Sequence, residues 1–382
     1  MSSDDHGDMS LFDLYTSRSA LTQDQLWSHL EYRPSFPGTY RVNVLTFVSQ
    51  LANPIEKLLV KASGLSASED RKSGDIHFLY LRKTFAKRSP PESLEGCCVV
   101  IPSARRRVWH AIADSSRFFA DVMQPLVERC YPSFTRAHLT TSELQETLER
   151  HLFRRGEMLI RCVKAKHGIK GDRRDTTQYE TPRSHSELFD QAKELNEQIS
   201  NIQFDVCSEL DGPSNLSAFL SREGVSKYHT GSVNLFVHAL LDSISQTVGE
   251  KANILSNRAR SAQAFSLKPL EILYAEEKFR DRQDNDRLIS LLSQLRHGVV
   301  SVFHNNPYLH LSFLDYLDGS SFDIFAVDSK TLSIVPAFRS STVALMRLCE
   351  AIDNEFEDGV IKQTTFRRPT SSDFQGSLDG TS

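Results

Sequence analysis

The chain is 382 residues long, with 45 Lys plus Arg against 49 Asp plus Glu, and it is 39% hydrophobic with 23 Phe. That is enough apolar material for a packed core, so wholesale disorder is excluded, and the length suits two domains or one elaborated one. No run approaches 18 uninterrupted apolar residues, which leaves no expected membrane-spanning helix.

Residues 1–20 are polar apart from Leu11 to Tyr15, and a loosely docked segment is expected there. Thr22-x-x-Gln25 reads as a capping box that opens a short helix through Trp27 and Leu30, ended by Arg33-Pro34. Val42 to Leu51 is apolar with mixed period, so helix and strand both stay open. Asn53-Pro54 starts the next helix, and Gly64 stops it. Ile76 to Leu81 and Cys97 to Ile101 read as strands separated by loops over 63–75 and 84–95. Arg105-Arg106-Arg107 then follows Pro102-Ser103 at or near an expected helix start. The macrodipole disfavours cations at such a position, and a bound anion would offset that cost.

From Ser115 to Cys130 apolar residues recur at helical spacing, with a restart at Pro125. Ser142-x-x-Gln145 caps a further helix, and Met158 to Val163 is a strand. Residues 171–185 have almost no apolar content and mark the expected domain boundary. Beyond it, Ser184-x-x-Glu187 opens a helix to about Ser200, and Ile202, Phe204 and Val206 alternate as a half-buried strand. Residues 221–231 read as a polar, glycine-bounded segment. Val233 to Val248 is a helix that Gly249 should end, and Asp284 or Asp286 caps another that stops at Gly298. Val299–Phe303, Leu309–Tyr316, Phe322–Val327 and Leu332–Phe338 follow as four strands with connections short enough for an antiparallel meander. Ser340 or Ser341 caps a last helix over Val343 to Phe356.

The expected architecture is therefore α/β of the α+β kind, in two parts. A polar segment with one short helix (1–40) precedes a basic α/β domain (41–170), a linker (171–185), an acidic α/β domain built on the meander (186–359) and a disordered tail (360–382). Six cysteines without any C-x-x-C pair are the usage of a reducing compartment and give a structural zinc site nothing to stand on. An acidic, polar N-terminus lacks the pattern of a signal peptide, so a soluble cytoplasmic protein is expected.

Charge is distributed unevenly. Between Arg71 and Arg174 there are 21 Lys plus Arg against 11 Asp plus Glu, although the whole chain has a net charge of −4. Such a split favours an anionic partner for the basic part or docking of the two parts on each other. Arg105, Arg106, Arg107, Arg154, Arg155, Lys164, Lys166, Lys170, Arg173 and Arg174 are the candidate phosphate contacts, with Trp109 placed to stack on a base.

A second constellation, His304, His310, Asp315, Asp318 and Asp323, has the residue types of a hydrolytic metal site. It would need convergence that strand geometry opposes, because His310 and Asp315 fall on opposite faces of one strand. No P-loop, Rossmann fingerprint, nucleophile elbow, zincin helix or kinase signature is present in the sequence. The reading is a non-enzymatic nucleic-acid-binding or complex-forming protein. Its basic part contacts phosphates, its C-terminal part packs on a protein partner, and no cofactor is called for. The alternatives are a metal-dependent hydrolase or nuclease using the His and Asp set, and a non-catalytic scaffold subunit.

Overall fold

The computed structural model describes residues 11–362 except 18–20, 32–41, 63–64, 66, 86–91, 153–155, 168–171, 174–175, 196, 209–212, 260–268, 307, 327 and 357–358. It contains two antiparallel sheets with helices between and around them. The first seven strands are β1 (Val42–Ser49), β2 (Ala67–Ser73), β3 (Ile76–Phe85), β4 (Glu92–Pro102), β5 (Val108–Ala113), β6 (Phe134–Arg136) and β7 (Glu157–His167). The larger sheet is completed by β8 (Asp172–Arg173), β9 (Thr177–Ser184), β10 (Glu197–Cys207), β11 (Ser214–Ser221) and β12 (Val225–Gly231). Its order is β2-β3-β4-β5-β1-β12-β11-β10-β7-β8, with β6 also on β1 and β9 on β7.

Residues 177–184 thus hydrogen-bond to β7, and β7 in turn pairs with β10 along its length. The sheet runs through the boundary expected at 171–185 and joins residues assigned to the basic and acidic parts. Alternation explains how a polar-looking stretch builds sheet: in β9 only every second residue is half-buried, so few apolar residues are required. Alternation also orders β12, whereas β11 is largely buried on both faces. Ser226 and Tyr228 are buried while Lys227 and His229, on the other face, are half-buried, and the glycine at 224 forms the turn between β11 and β12 with φ +70°.

The second sheet uses β13 (Leu270–Leu273), β14 (Gly298–His304), β15 (Leu309–Asp315), β16 (Ser320–Ala326), β17 (Thr331–Pro336) and β18 (Val360–Lys362). Its order is β14-β15-β16-β17-β13-β18, so the four-strand meander expected for the C-terminal part is present. Residues 360–362, expected in the tail, pair with β13 instead.

The helices that matter for packing are α1 (Leu11–Ser17), α2 (Gln23–Glu31), α3 (Ile55–Ala62), α4 (Ser116–Phe118), α5 (Gln124–Glu128), α6 (Thr141–His151), α7 (His185–Glu194), α8 (Asp242–Arg258), α9 (Arg282–Gln294) and α10 (Thr342–Phe356). Residues 119–123 and 235–241 form π-helical turns that lead into α5 and α8. One core lies between the inner face of the large sheet, helices α1, α2, α6, α7, α8 and α10, and the inner face of the small sheet. The other lies on the opposite face, under α3 and α4–α5. Leu11 and Leu14 are fully or almost fully buried in the first core, so the segment expected to dock loosely is anchored from residue 11 onward.

Several local signals act as read. Thr22 and Gln25 form the reciprocal capping box, Asn53 accepts from the Ile55 N–H, and the Ser341 hydroxyl accepts from Ala344 N–H. Others differ. The box on α6 is Thr140 with Glu143, two residues before the expected one, and the cap of α9 is Asp281. Gly249 does not end α8. A Cβ there would stand 3.0 Å from the Arg105 Cβ, so the glycine permits a close helix approach to the β4–β5 turn.

Candidate functional site

Arg105, Arg106 and Arg107 lie in that β4–β5 turn and not at a helix start, so no macrodipole opposes them and no anion is needed to offset it. Arg107 adopts φ +72° and its guanidinium donates to the Ser256 hydroxyl of α8. Only Arg105 and Arg106 of the three are exposed. Trp109 is half-buried, with its ring packed against the second core. Lys164 and Lys166 are half-buried on β7, five strand spacings from β5, or about 24 Å. Lys166 shares a polar cavity of about 320 Å³ with Lys227, Arg222 and Phe219. The Lys227 ammonium lies 5.0 Å from the Phe219 ring centroid, and burial lowers its pKa. Arg154, Arg155, Lys170 and Arg174 fall outside the described residues, and for Arg173 only the strand placement is described.

The histidine and aspartate set is laid out by strand alternation. His304 and His310 are cross-strand partners on β14 and β15, and His310 stacks between Phe303 and Phe325 at centroid distances of 4.8 and 4.3 Å. His304 stacks on Tyr308. Asp323 pairs with Ser312 on the half-buried face that also carries His310. Asp315 points the other way and is buried. It accepts from the Tyr131 hydroxyl, from Arg347 at 3.1 Å and from the Leu317 and Asp318 N–H groups. Asp318 accepts from the Ser320 hydroxyl. The five residues do not converge, and among the described residues no group of three or more His, Cys, Asp or Glu is placed to hold a metal ion. Asp315 ties the small sheet to the segment after α5.

A convergent cluster exists elsewhere, from residues far apart in sequence. Arg222, at the β11–β12 turn, donates to the Leu139 carbonyl at 3.0 Å, to Gln198 Oε1 at 2.8 Å and to Asp353 Oδ2 at 2.5 Å. His138 Nε2 lies 2.7 Å from the same carboxylate oxygen. Beside them Lys251 of α8 donates to Glu143 Oε2 at 2.6 Å and to the His138 carbonyl at 3.2 Å. Burial alone would raise the Asp353 carboxyl. The hydrogen bond from His138 and the charges of Arg222 and Lys251 outweigh it and hold Asp353 below the usual carboxylate range. The cluster joins α10 to the end of the large sheet. Sequence reading missed it because residues 138, 222 and 353 carry no shared spacing. The available signal was Asp353 itself, four residues after Cys349 and three before Phe356 on the buried face of an amphipathic helix.

The outer edge of the small sheet is the other unusual feature. Of the twelve large hydrophobic residues exposed among the described residues, eight lie between Val299 and Phe338. Strand β14, GVVSVFH, pairs on one side with β15 and on the other with no described strand. Phe303 is 63% exposed and Val299 48%. No Lys, Glu or Pro guards this edge, although exposed edges are commonly blunted by such residues.

No family model matches the chain, and no curated protein matches it. Among the described residues no helix is long and apolar enough to cross a membrane.

Proposed function

We propose that this is a complex-forming protein that assembles through the free edge of its C-terminal sheet, and that its first partner is a second copy of itself. The reading rests on β14, an uncharged edge strand flanked by exposed aromatic and aliphatic side chains. Large exposed apolar surface next to an unpaired edge is what strand addition uses. Antiparallel pairing about a two-fold centred on Ser301 opposes Val299 to Phe303 and Val300 to Val302. Aromatic and β-branched cross-strand pairs of this kind are favourable, and an uncharged strand meets itself without like-charge opposition.

Sedimentation of the purified chain tests it. A concentration-dependent species of twice the 43.3 kDa chain mass is expected, and Val302→Lys should abolish it without unfolding the protein. A monomer at every concentration would refute the proposal.

A further inference from the structure

A cavity of about 320 Å³ opens between α6, α8, α10 and the strands β13 and β18, next to the ionic cluster. That volume is at the small end of ligand-binding pockets, and the walls follow the usual plan of apolar surface with a few convergent polar groups. Ile254, Ile272, Met346 and Ile352 supply the apolar walls. His138, Tyr274 and Asp353 also line the cavity, each at least nine-tenths buried.

Each of these three keeps one buried polar atom with no hydrogen-bond partner: His138 Nδ1, Tyr274 Oη and Asp353 Oδ1. Buried polar atoms are nearly always partnered, because leaving one bare costs about 1–3 kcal/mol. Their chemistry is definite. A carboxylate only accepts, so in the neutral ring His138 Nε2 carries the proton toward Asp353 and Nδ1 is an acceptor. Asp353 Oδ1 is a second acceptor, and the Tyr274 hydroxyl both donates and accepts. What is missing is a donor.

The charge around the cavity agrees. Five carboxylates line it against two cations, Arg136 and Lys251. Lys251 is paired with Glu143, and Arg136 with Glu128 and Glu223 outside the cavity. Glu146 and Glu250 share the single Arg150.

We infer that this cavity binds a small amphipathic amine, whose nitrogen donates to His138 Nδ1 and Asp353 Oδ1 while its hydrocarbon body lies against Ile254, Ile272 and Met346. The site is separate from the β14 edge, so it stands or falls independently of self-association.

Equilibrium dialysis of the full chain at pH 8 against n-hexylammonium, hexanol and hexanoate tests it. Saturable binding of one n-hexylammonium per chain is expected, with hexanol on the order of tenfold weaker and hexanoate not retained, because a hydrogen bond to a charged group is worth about 1.5–3 kcal/mol. Tyr274→Phe removes one oxygen and should weaken the amine several-fold. Ile254→Trp, on a half-exposed wall, should block it, with thermal midpoints confirming that both variants fold. Absence of saturable amine binding overturns the inference. So does equal retention of hexanol or hexanoate, or indifference of the amine to both substitutions.

Discussion

Two regions of this protein carry histidines near aspartates, and they are built in opposite ways. In the meander, His304, His310, Asp315, Asp318 and Asp323 crowd within twenty residues of sequence, yet pleating sends them to two faces and into separate contacts. At the junction, His138, Arg222 and Asp353 are 84 and 131 residues apart, yet they share one carboxylate oxygen in a buried setting. Density along the chain is therefore a poor guide to convergence in space. A strand disperses neighbours by alternation, whereas a helix docked on a sheet end brings strangers together.

The junction is where substitutions should cost most. Asp353→Ala leaves the Arg222 guanidinium buried without its counter-charge, and the denaturation midpoint should fall by the equivalent of about 3–5 kcal/mol. A loss under 1 kcal/mol would place the cluster among merely tolerated pairs.

A histidine on the inner face of the large sheet sharpens the contrast through pH. His110 is held between the Thr46 and Ser245 hydroxyls at 3.1 and 3.0 Å, and burial depresses its pKa to about 4. The folded protein thus resists protonation that the unfolded chain accepts near pH 6.5. Stability should be undiminished above that pH, decline as pH falls toward about 4 and level off below, by a total of about 3 kcal/mol from this group. Urea titrations from pH 7.5 to 3.5 check it: His110→Asn should flatten the slope above pH 4.

Within the meander, Asp315→Asn weakens the ties to Tyr131 and Arg347 and should cost about 2 kcal/mol. The midpoint should be unchanged by a chelator of divalent cations, because the carboxylate is engaged by protein donors. The smallest effect belongs to His310→Ala, which removes half-exposed ring stacking worth about 0.5–1 kcal/mol.

Sequence reading located the meander because its four apolar runs are separated by turn residues that leave little alternative, and it located α10 and α3 through their caps. It lost β9, β11 and β12. β9 and β12 bury one face or part of one, so their polar residues look like loop until a neighbouring strand defines which face is outside, and β11 mixes Ser214, Asn215, Ser217 and Ser221 with its apolar residues. Gly249 was illegible for a related reason: a glycine that stops a helix and one that admits Arg105 beside it look alike in the chain. The charge asymmetry between Arg71 and Arg174 is real, but one sheet spans the boundary expected at 171–185 from its lack of apolar residues, and the arginine triplet sits in a turn against α8. Of the cationic set, Lys166 is brought into a polar cavity with Lys227 and Arg222, a grouping that needs β7, β11 and β12 side by side.

The most direct test of the central claim is the mass of the purified protein across a concentration series, measured by analytical ultracentrifugation for the wild type, Val302→Lys and a control, Val60→Lys, which alters a still more exposed valine on α3. The account predicts reversible dimers for the wild type and the control, and monomers for Val302→Lys at an unchanged thermal midpoint. Monomers throughout, or dimers that survive Val302→Lys, would contradict it.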